Sequence, residues 1–433
     1  MIEIFIVFLL FFISVIVSNH KLRFFSLNPT VLGSFLFLAL FVQILPGTIL
    51  VSFFDFPMVM NIEKAISSET LSLTFIYTFI SVSTLFFLLG IISFVINLDI
   101  NLQKVPVSSN TSLLLLLCSL FVVTLKIASI GNIPLFMAIG GDFIGAGLLK
   151  AKILKNEIGL GGLFLGYIFA YFPFVSLVYS YVCKNLIANS ARIFNLNMCL
   201  IIFYSLYDMQ KSKLIIVFFI LFVLYLKSSK KINYTYFILI PLISMIVLIS
   251  SFMLLHNSPL GEVFYSVVAR IFIGQAEGGY MMYSVLTPSL DRVTYGMPLA
   301  GSFGFSGVDP AAEIISIFFP TAGDAWVNSN SYVQAHAWSI FGLSSLVIAP
   351  VVICINIIGL YFLRRIFTPL VHGYAHAVYI VSILMLPLNN DFSYFLFFKS
   401  WVCYLILMIF FIVIMVPIYF FKKGDSFTPR IIL

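Results

Sequence analysis

Arg270, Arg292 and His336 are the side chains in this sequence best suited to chemistry. A guanidinium presents five donors in a planar fork that fits a phosphate or pyrophosphate, and a neutral imidazole can accept the proton of a sugar hydroxyl. Both arginines lie in apolar or Gly-rich surroundings, where an uncompensated charge is costly. Internal ion pairs would also satisfy them: Glu277 is seven residues from Arg270, two turns along one helix face, and Asp291 adjoins Arg292. A nearby carboxylate such as Glu277 is an alternative base to His336, and Tyr280 follows it as a candidate substrate contact. Asn328, Asn330 and Tyr332 share the run from Trp326 to Trp338 with His336 and are candidate substrate contacts. Lys211 and Lys213 open an apolar segment, where they either snorkel to headgroups or bring a third cation to an anionic substrate. Lys150, Lys152 and Lys155 read as a solvated or lipid-contacting face.

Metal or nucleotide chemistry has no support in the sequence, which lacks an HExxH pair, a Walker loop and a Gly-x-Ser-x-Gly elbow. Cys118, Cys183, Cys199, Cys354 and Cys403 all lie in or beside apolar segments without paired spacing. They imply neither a metal site nor a disulfide framework. No metal and no cofactor are expected.

The elements that must position these residues are membrane helices. Of the 433 residues 62% are hydrophobic and only 9% are charged, and the mean hydropathy is +1.14. A soluble surface needs more charge. A bilayer core about 30 Å thick takes roughly 20 apolar residues per helix, and such stretches recur along the chain. The expected spans are Ile2 to Val17, Val31 to Phe54, Leu71 to Leu98, Thr111 to Ile130, Ile158 to Cys183, Ile193 to Tyr207, Leu214 to Leu226, Tyr234 to Leu255, Ser339 to Leu363, Ala377 to Leu388 and Phe392 to Phe421. The expected fold is therefore an all-α integral membrane protein of about eleven transmembrane helices. The first segment has no basic region and no small-residue cleavage site, so it reads as a span and not as a cleaved signal.

The formal charge of +7 reflects orientation, not nucleic-acid binding. Counting alternate loops, one side collects Lys21, Arg23, Lys104, Lys184, Arg192, Lys227, Lys230, Lys231, Arg364, Arg365, Lys422, Lys423 and Arg430, with only Asp99 and Asp425 as acids. Basic loops face the cytoplasm, which sets the amino terminus outside and the carboxyl terminus inside. The chain then divides into amino-terminal helices over 1–255, one large outer loop over 256–334, and carboxyl-terminal helices with a short tail over 335–433. A loop of that length is the first place to look for function. Within it, Val263 to Leu286 reads as one helix and Ala311 to Pro320 as a short interfacial segment, so the loop is partly helical.

This arrangement resembles the Wzy-type polymerases of O-antigen and related bacterial surface polysaccharides. The resemblance covers length, ten to twelve spans and a large periplasmic loop in the carboxyl-terminal half. Family members carry a Gly-Ser-Arg or Gly-Ser-Lys element at the start of a middle span, where this sequence has Lys211-Ser212-Lys213-Leu214 without the glycine. Arg270 and the run Asn328-Ser329-Asn330-Ser331-Tyr332 are similar to an arginine and an Asn-Ser-x-Asn-Tyr element of the enterobacterial common antigen polymerases. The resemblance implies a glycosyltransferase of the bacterial inner membrane. It would transfer a growing glycan from undecaprenyl pyrophosphate to an incoming lipid-linked oligosaccharide repeat on the periplasmic face. Arg270, Arg292 and Lys213 would then stabilise the leaving pyrophosphate, and His336 would orient or deprotonate the acceptor hydroxyl. A chain-length regulator and membrane lipid are the implied partners, and nucleic acid is not. Two alternatives share much of this pattern: an O-antigen ligase acting on lipid A core, and a flippase of lipid-linked oligosaccharides.

Overall fold

The computed structural model describes residues 2–422 apart from 27, 55, 60, 61, 63, 64, 155–161, 188–189, 229–241, 243–245, 247–248, 251–258, 299, 306 and 321–329. Among the described residues no strand occurs, and the chain is helical throughout. In order the helices are α1 (Ile2–Leu22), α2 (Val31–Phe53), α3 (Ser68–Val95), α4 (Ser109–Ile130), α5 (Pro134–Ile139), α6 (Phe143–Leu154), α7 (Leu163–Leu186), α8 (Ala191–Leu206), α9 (Lys211–Ser228), α10 (Leu260–Phe272), α11 (Glu277–Val285), α12 (Pro310–Phe318), α13 (Val333–Phe341), α14 (Ser345–Val371), α15 (Gly373–Leu384), α16 (Ser393–Leu396) and α17 (Lys399–Lys422).

Six helical stretches among the described residues are long and apolar enough to cross a membrane: Ile2–Leu22, Val31–Phe53, Ser68–Val95, Ser109–Ile130, Phe164–Leu186 and Val333–Val371. The protein is a multi-pass membrane protein. Helix α15, with 12 residues, is about 18 Å long and α8, with 16, about 24 Å, each short of the bilayer core. Most of the expected span Tyr234 to Leu255 lies outside the described residues.

The surface is patterned for lipid. Helix α1 exposes Ile2, Phe5, Leu9, Phe12 and Ile16 and buries Ser14 and Ser18 against the protein. Helix α4 does the same, with Leu113, Leu117 and Phe121 outward and Ser112 and Ser119 inward. A soluble helix shows the opposite order. In lipid there is no hydrophobic gain from burying leucine, so small residues line the helix contacts and let backbones approach. At Gly90 of α3 an added Cβ would stand 2.9 Å from Val17 and 3.3 Å from the Ser18 nitrogen of α1. The α1 serine hydroxyls satisfy themselves by donating back along their own helix, Ser14 to the Phe11 carbonyl and Ser18 to the Ser14 carbonyl, each at 2.8 Å.

The chain forms two compact units. The first comprises Met1–Asp99, Met245–Ile357 and Leu386–Lys399, and the second Ile100–Ser244, Ile358–Met385 and Ser400–Leu433. The described part of the large loop is thus built into a helical unit. In this first unit, α2 carries a π-helical stretch over Phe37–Ile44, where the Leu45 N–H donates to the Leu40 carbonyl five residues back. Pro46 follows at once, and the wider turn accommodates its missing N–H and its ring. Gly47 then lets the chain end of α10 lie against α2, since a Cβ there would sit 1.8 Å from the Phe272 carbonyl. Arg23 pairs with Asp99, joining two turns that the alternating count assigns to the same cytoplasmic side.

The single helix expected over Val263 to Leu286 is two helices, α10 and α11. The break falls at Ile273 to Ala276. Gly274 weakens the helix there and its N–H donates to the Ala269 carbonyl, five residues back. The Gly278 N–H leaves the helix ladder altogether and donates to the Asn330 carbonyl at 2.9 Å. The interfacial segment forms α12, with Pro310 in its first turn and Asp309 accepting from the Ala311 N–H. The ninth expected span, Ser339 to Leu363, is divided between two helices, its first residues ending α13 and the rest lying in α14. The two are parted at Gly342, whose φ of +59° stops the first helix.

In the second unit, polar side chains tie helices together inside the membrane region. Asn197 of α8 donates to Ser176 and Ser180 of α7 at 2.7 and 3.1 Å. Gly359 of α14 admits the Trp401 indole of α17, because a Cβ would stand 2.1 Å from the ring.

Candidate functional site

Three polar elements of the first unit converge: the turn from Thr287 to Gly296, helix α13 and the segment Asn389–Lys399. Helix α13 is held rigidly. Gln334 donates to Ser345 at 3.1 Å and accepts from the Tyr283 hydroxyl, and the Val333 N–H donates to the Leu388 carbonyl at 2.9 Å. One turn further, His336 is buried at 2% exposure. Its Nδ1 accepts from the Phe392 backbone N–H at 3.2 Å. A backbone amide can only donate, so Nδ1 is unprotonated and the neutral ring carries its proton on Nε2. That nitrogen lies 3.3 Å from Asp391 Oδ1, a close contact without the alignment of a hydrogen bond.

Asp391 is the open member of the pair, with a quarter of its side chain exposed. It accepts from the Ser393 N–H at 2.7 Å and from the Ser393 hydroxyl. Lys399 donates to that same hydroxyl at 3.2 Å, so a chain of bonds runs from ammonium through serine to carboxylate. Phe398, just before Lys399, adopts φ +50°, a conformation that costs about 1 kcal/mol or more in a non-glycine residue. Asn356 of α14 steadies the turn by donating to the Phe395 carbonyl at 2.9 Å. Gly296 closes the other side at φ +69°, where a Cβ would lie 2.1 Å from Ser393 Oγ and 3.0 Å from Lys399 Nζ.

Tyr295 stacks obliquely near His336, ring centres 6.0 Å apart, and its hydroxyl donates to Asp309 Oδ2 at 2.9 Å. Burial, and next the Asp309 carboxylate, push its phenol well above the usual range, so it stays a neutral donor.

Arg292 is committed within the protein. It is 6% exposed and grips Glu313 with both ends of its fork at 2.9 Å, while its remaining terminal nitrogen donates to the carbonyls of Thr287 and Ser339 at 2.6 and 2.9 Å. Its ion-pair partner is thus Glu313, 21 residues on, and not the adjoining Asp291, which bonds Ser289. Arg270 is exposed at the end of α10. Glu277 is buried in the first turn of α11, on a different helix from Arg270. Tyr280 is fully buried, donating to the Thr48 carbonyl at 2.9 Å and lying 2.9 Å from the Ser52 hydroxyl. Tyr332 is buried and Asn330 half-buried, the latter donating to Gln275 at 3.3 Å, where Asn389 also donates at 2.5 Å. Asn328 lies outside the described residues.

Lys213 belongs to the second unit. There it pairs with Asp208, whose side chain is fully buried, and lies over the Tyr204 and Tyr207 rings at 4.8 and 5.0 Å. The side chain of Lys211 is outside the described residues, as is Lys155, while Lys152 is exposed. Among the described residues no cluster of three or more His, Cys, Asp and Glu could hold a metal ion.

The structure therefore gathers His336 with residues that sequence reasoning passed over: Asp391, Ser393, Tyr295 and Asp309. In the sequence Lys399 is a lone charge within the expected span Phe392 to Phe421. One signal was available for Asp391. The polar triplet Asn389-Asn390-Asp391 separates two apolar segments, and the alternating count that places 256–334 outside places this turn outside too. No protein-family model, no curated protein and no solved structure matches this chain.

Proposed function

We propose that this protein is a glycosyltransferase of the bacterial inner membrane that polymerises undecaprenyl-pyrophosphate-linked oligosaccharide repeats into O-antigen or a related surface polysaccharide. The observation that carries the reading is a half-open polar cluster, Asp391 with Ser393 and Lys399 over a buried His336, set in a unit whose helices present leucine and phenylalanine outward. A lipid-borne donor and acceptor reach such a site sideways from the bilayer, so the enzyme needs little mass outside the membrane. The resemblance to Wzy-type polymerases supplies the substrates.

On this reading the chain spans the membrane eleven times, by the six long stretches and five others at 193–207, 214–226, 234–255, 377–388 and 392–421. The loop over 256–334 and the turn over 389–391 then share the periplasmic side, in keeping with the hydrogen bond from Asn389 to Gln275. Cleavage of the sugar-to-pyrophosphate bond develops negative charge on the leaving group, which a fixed cation stabilises more in the transition state than in the ground state. Arg270, exposed on α10, is the arginine placed for that task, and Arg292 holds the turn that carries Tyr295 and Gly296. Silver-stained polysaccharide from a deletion strain tests the function. A core capped by a single repeat is expected, and bare core would assign the protein to the ligase reaction instead.

A further inference from the structure

We propose that Asp391 is the base that takes the proton of the acceptor sugar hydroxyl, and that His336 is a positioning residue that holds Asp391. The inference rests on the glycosyl-transfer reading and deepens it.

The imidazole has no lone pair to offer a substrate. Its Nδ1 pair is occupied by the Phe392 N–H at 3.2 Å, and its Nε2, which carries the proton, lies 3.3 Å from Asp391 Oδ1 without the alignment of a hydrogen bond. Only 2% of His336 is exposed, so a sugar hydroxyl does not reach it. The carboxylates around it divide by what already fills them. Both oxygens of Glu313 receive the Arg292 fork. Asp309 takes the Ala311 N–H on one oxygen and the Tyr295 hydroxyl on the other, and the carboxylate in contact with the imidazole is Asp391. Asp391 takes one donor on each oxygen, both from a single residue, Ser393, and among the described residues no arginine pairs with it. A carboxylate offers about four acceptor positions, so room for one more donor remains on a side chain that is a quarter exposed.

Its surroundings fix it to a degree that a surface turn does not require. The buried imidazole lies behind it, Ser393 and Lys399 beside it, and Gly296 at φ +69° is the residue type that leaves them space. In the transfer step the acceptor oxygen bonds to the anomeric carbon as its proton passes to an Asp391 oxygen. The anomeric carbon–oxygen bond breaks with its electron pair leaving on the undecaprenyl pyrophosphate, and Asp391 then returns the proton to water. No oxidant or further reactant enters.

Complementation of a deletion strain tests this, read as polysaccharide chain length on gels alongside the level of tagged protein in membranes. Asp391→Asn keeps the shape and the oxygen that caps Ser393 but removes the base, and is expected to lower polymer at least a hundredfold at wild-type protein level. Asp391→Glu, which keeps a carboxylate, should give short chains. His336→Gln retains an acceptor and an N–H donor and should restore ladders within about tenfold of wild type, whereas His336→Ala should not. Full ladders from Asp391→Asn reduce Asp391 to a turn cap and overturn the proposal. So does a blank lane from His336→Gln beside normal protein, since the imidazole itself would then be doing the chemistry. A wild-type gene that restores no ladder overturns the polymerase reading first and this inference with it.

Discussion

Replacing Arg292 by alanine separates a structural arginine from one that touches substrate. The guanidinium makes two bonds to Glu313 and one each to the carbonyls of Thr287 and Ser339. Ser339 would keep the Ser289 N–H as a donor, so the change leaves the Thr287 carbonyl and the Glu313 carboxylate to be satisfied anew. Breaking a fully buried ion pair costs about 3–5 kcal/mol. Glu313 is 30% exposed and regains water, which discounts the figure to about 2–3 kcal/mol once a buried unsatisfied carbonyl is included. Thermal unfolding of the detergent-solubilised protein should therefore shift down by several degrees for Arg292→Ala. Arg292→Lys should recover only part of it, because a single ammonium cannot reproduce the fork. If Arg292→Ala unfolds with the wild type while polysaccharide is lost, the argument fails and the guanidinium belongs to substrate binding.

Three further outcomes follow from the same contacts. Arg270→Ala should cut chain formation about a hundredfold at normal protein level, the loss expected for one transition-state cation, and unchanged ladders would remove it from the reaction. Lys213→Met leaves the fully buried Asp208 carboxylate without its cation and should destabilise the protein by about 3 kcal/mol, whereas Lys213→Met with Asp208→Asn should recover much of it in the same melting assay. Gly296→Ala drives a Cβ onto Ser393 at φ +69° and should shorten polysaccharide in gels while the protein still accumulates in membranes.

The membrane class was legible because it rests on bulk hydropathy, and the positions of the long helices α1 to α4 follow from it, although α1 runs to Leu22, past the expected Val17, and α3 starts at Ser68 and ends at Val95, before the expected Leu71 and Leu98. What hydropathy could not give was where helices break. The turn at Ile273 to Ala276 depends on a tertiary bond from Gly278 to Asn330, and the stop at Gly342 on a left-handed backbone, neither of which carries a strong apolar signal. The same limit applied to the site. Arg292 and His336 were conspicuous as charged or titratable residues near apolar segments, but their partners, Glu313 and Asp391, lie 21 and 55 positions away in sequence, and adjacency suggested Asp291 instead. Tyr280 looked like a substrate contact by residue type, yet its hydroxyl is used to join α11 to α2.

The central claim is polymerisation from a lipid-linked donor, and the most direct measurement is reconstitution. The purified protein in liposomes would be supplied with the lipid-linked repeat isolated from the deletion strain. The account predicts a ladder of whole repeats on undecaprenyl pyrophosphate, with one undecaprenyl pyrophosphate released for each bond made. A substrate left unchanged, or consumed only when lipid A core is added as acceptor, would contradict it.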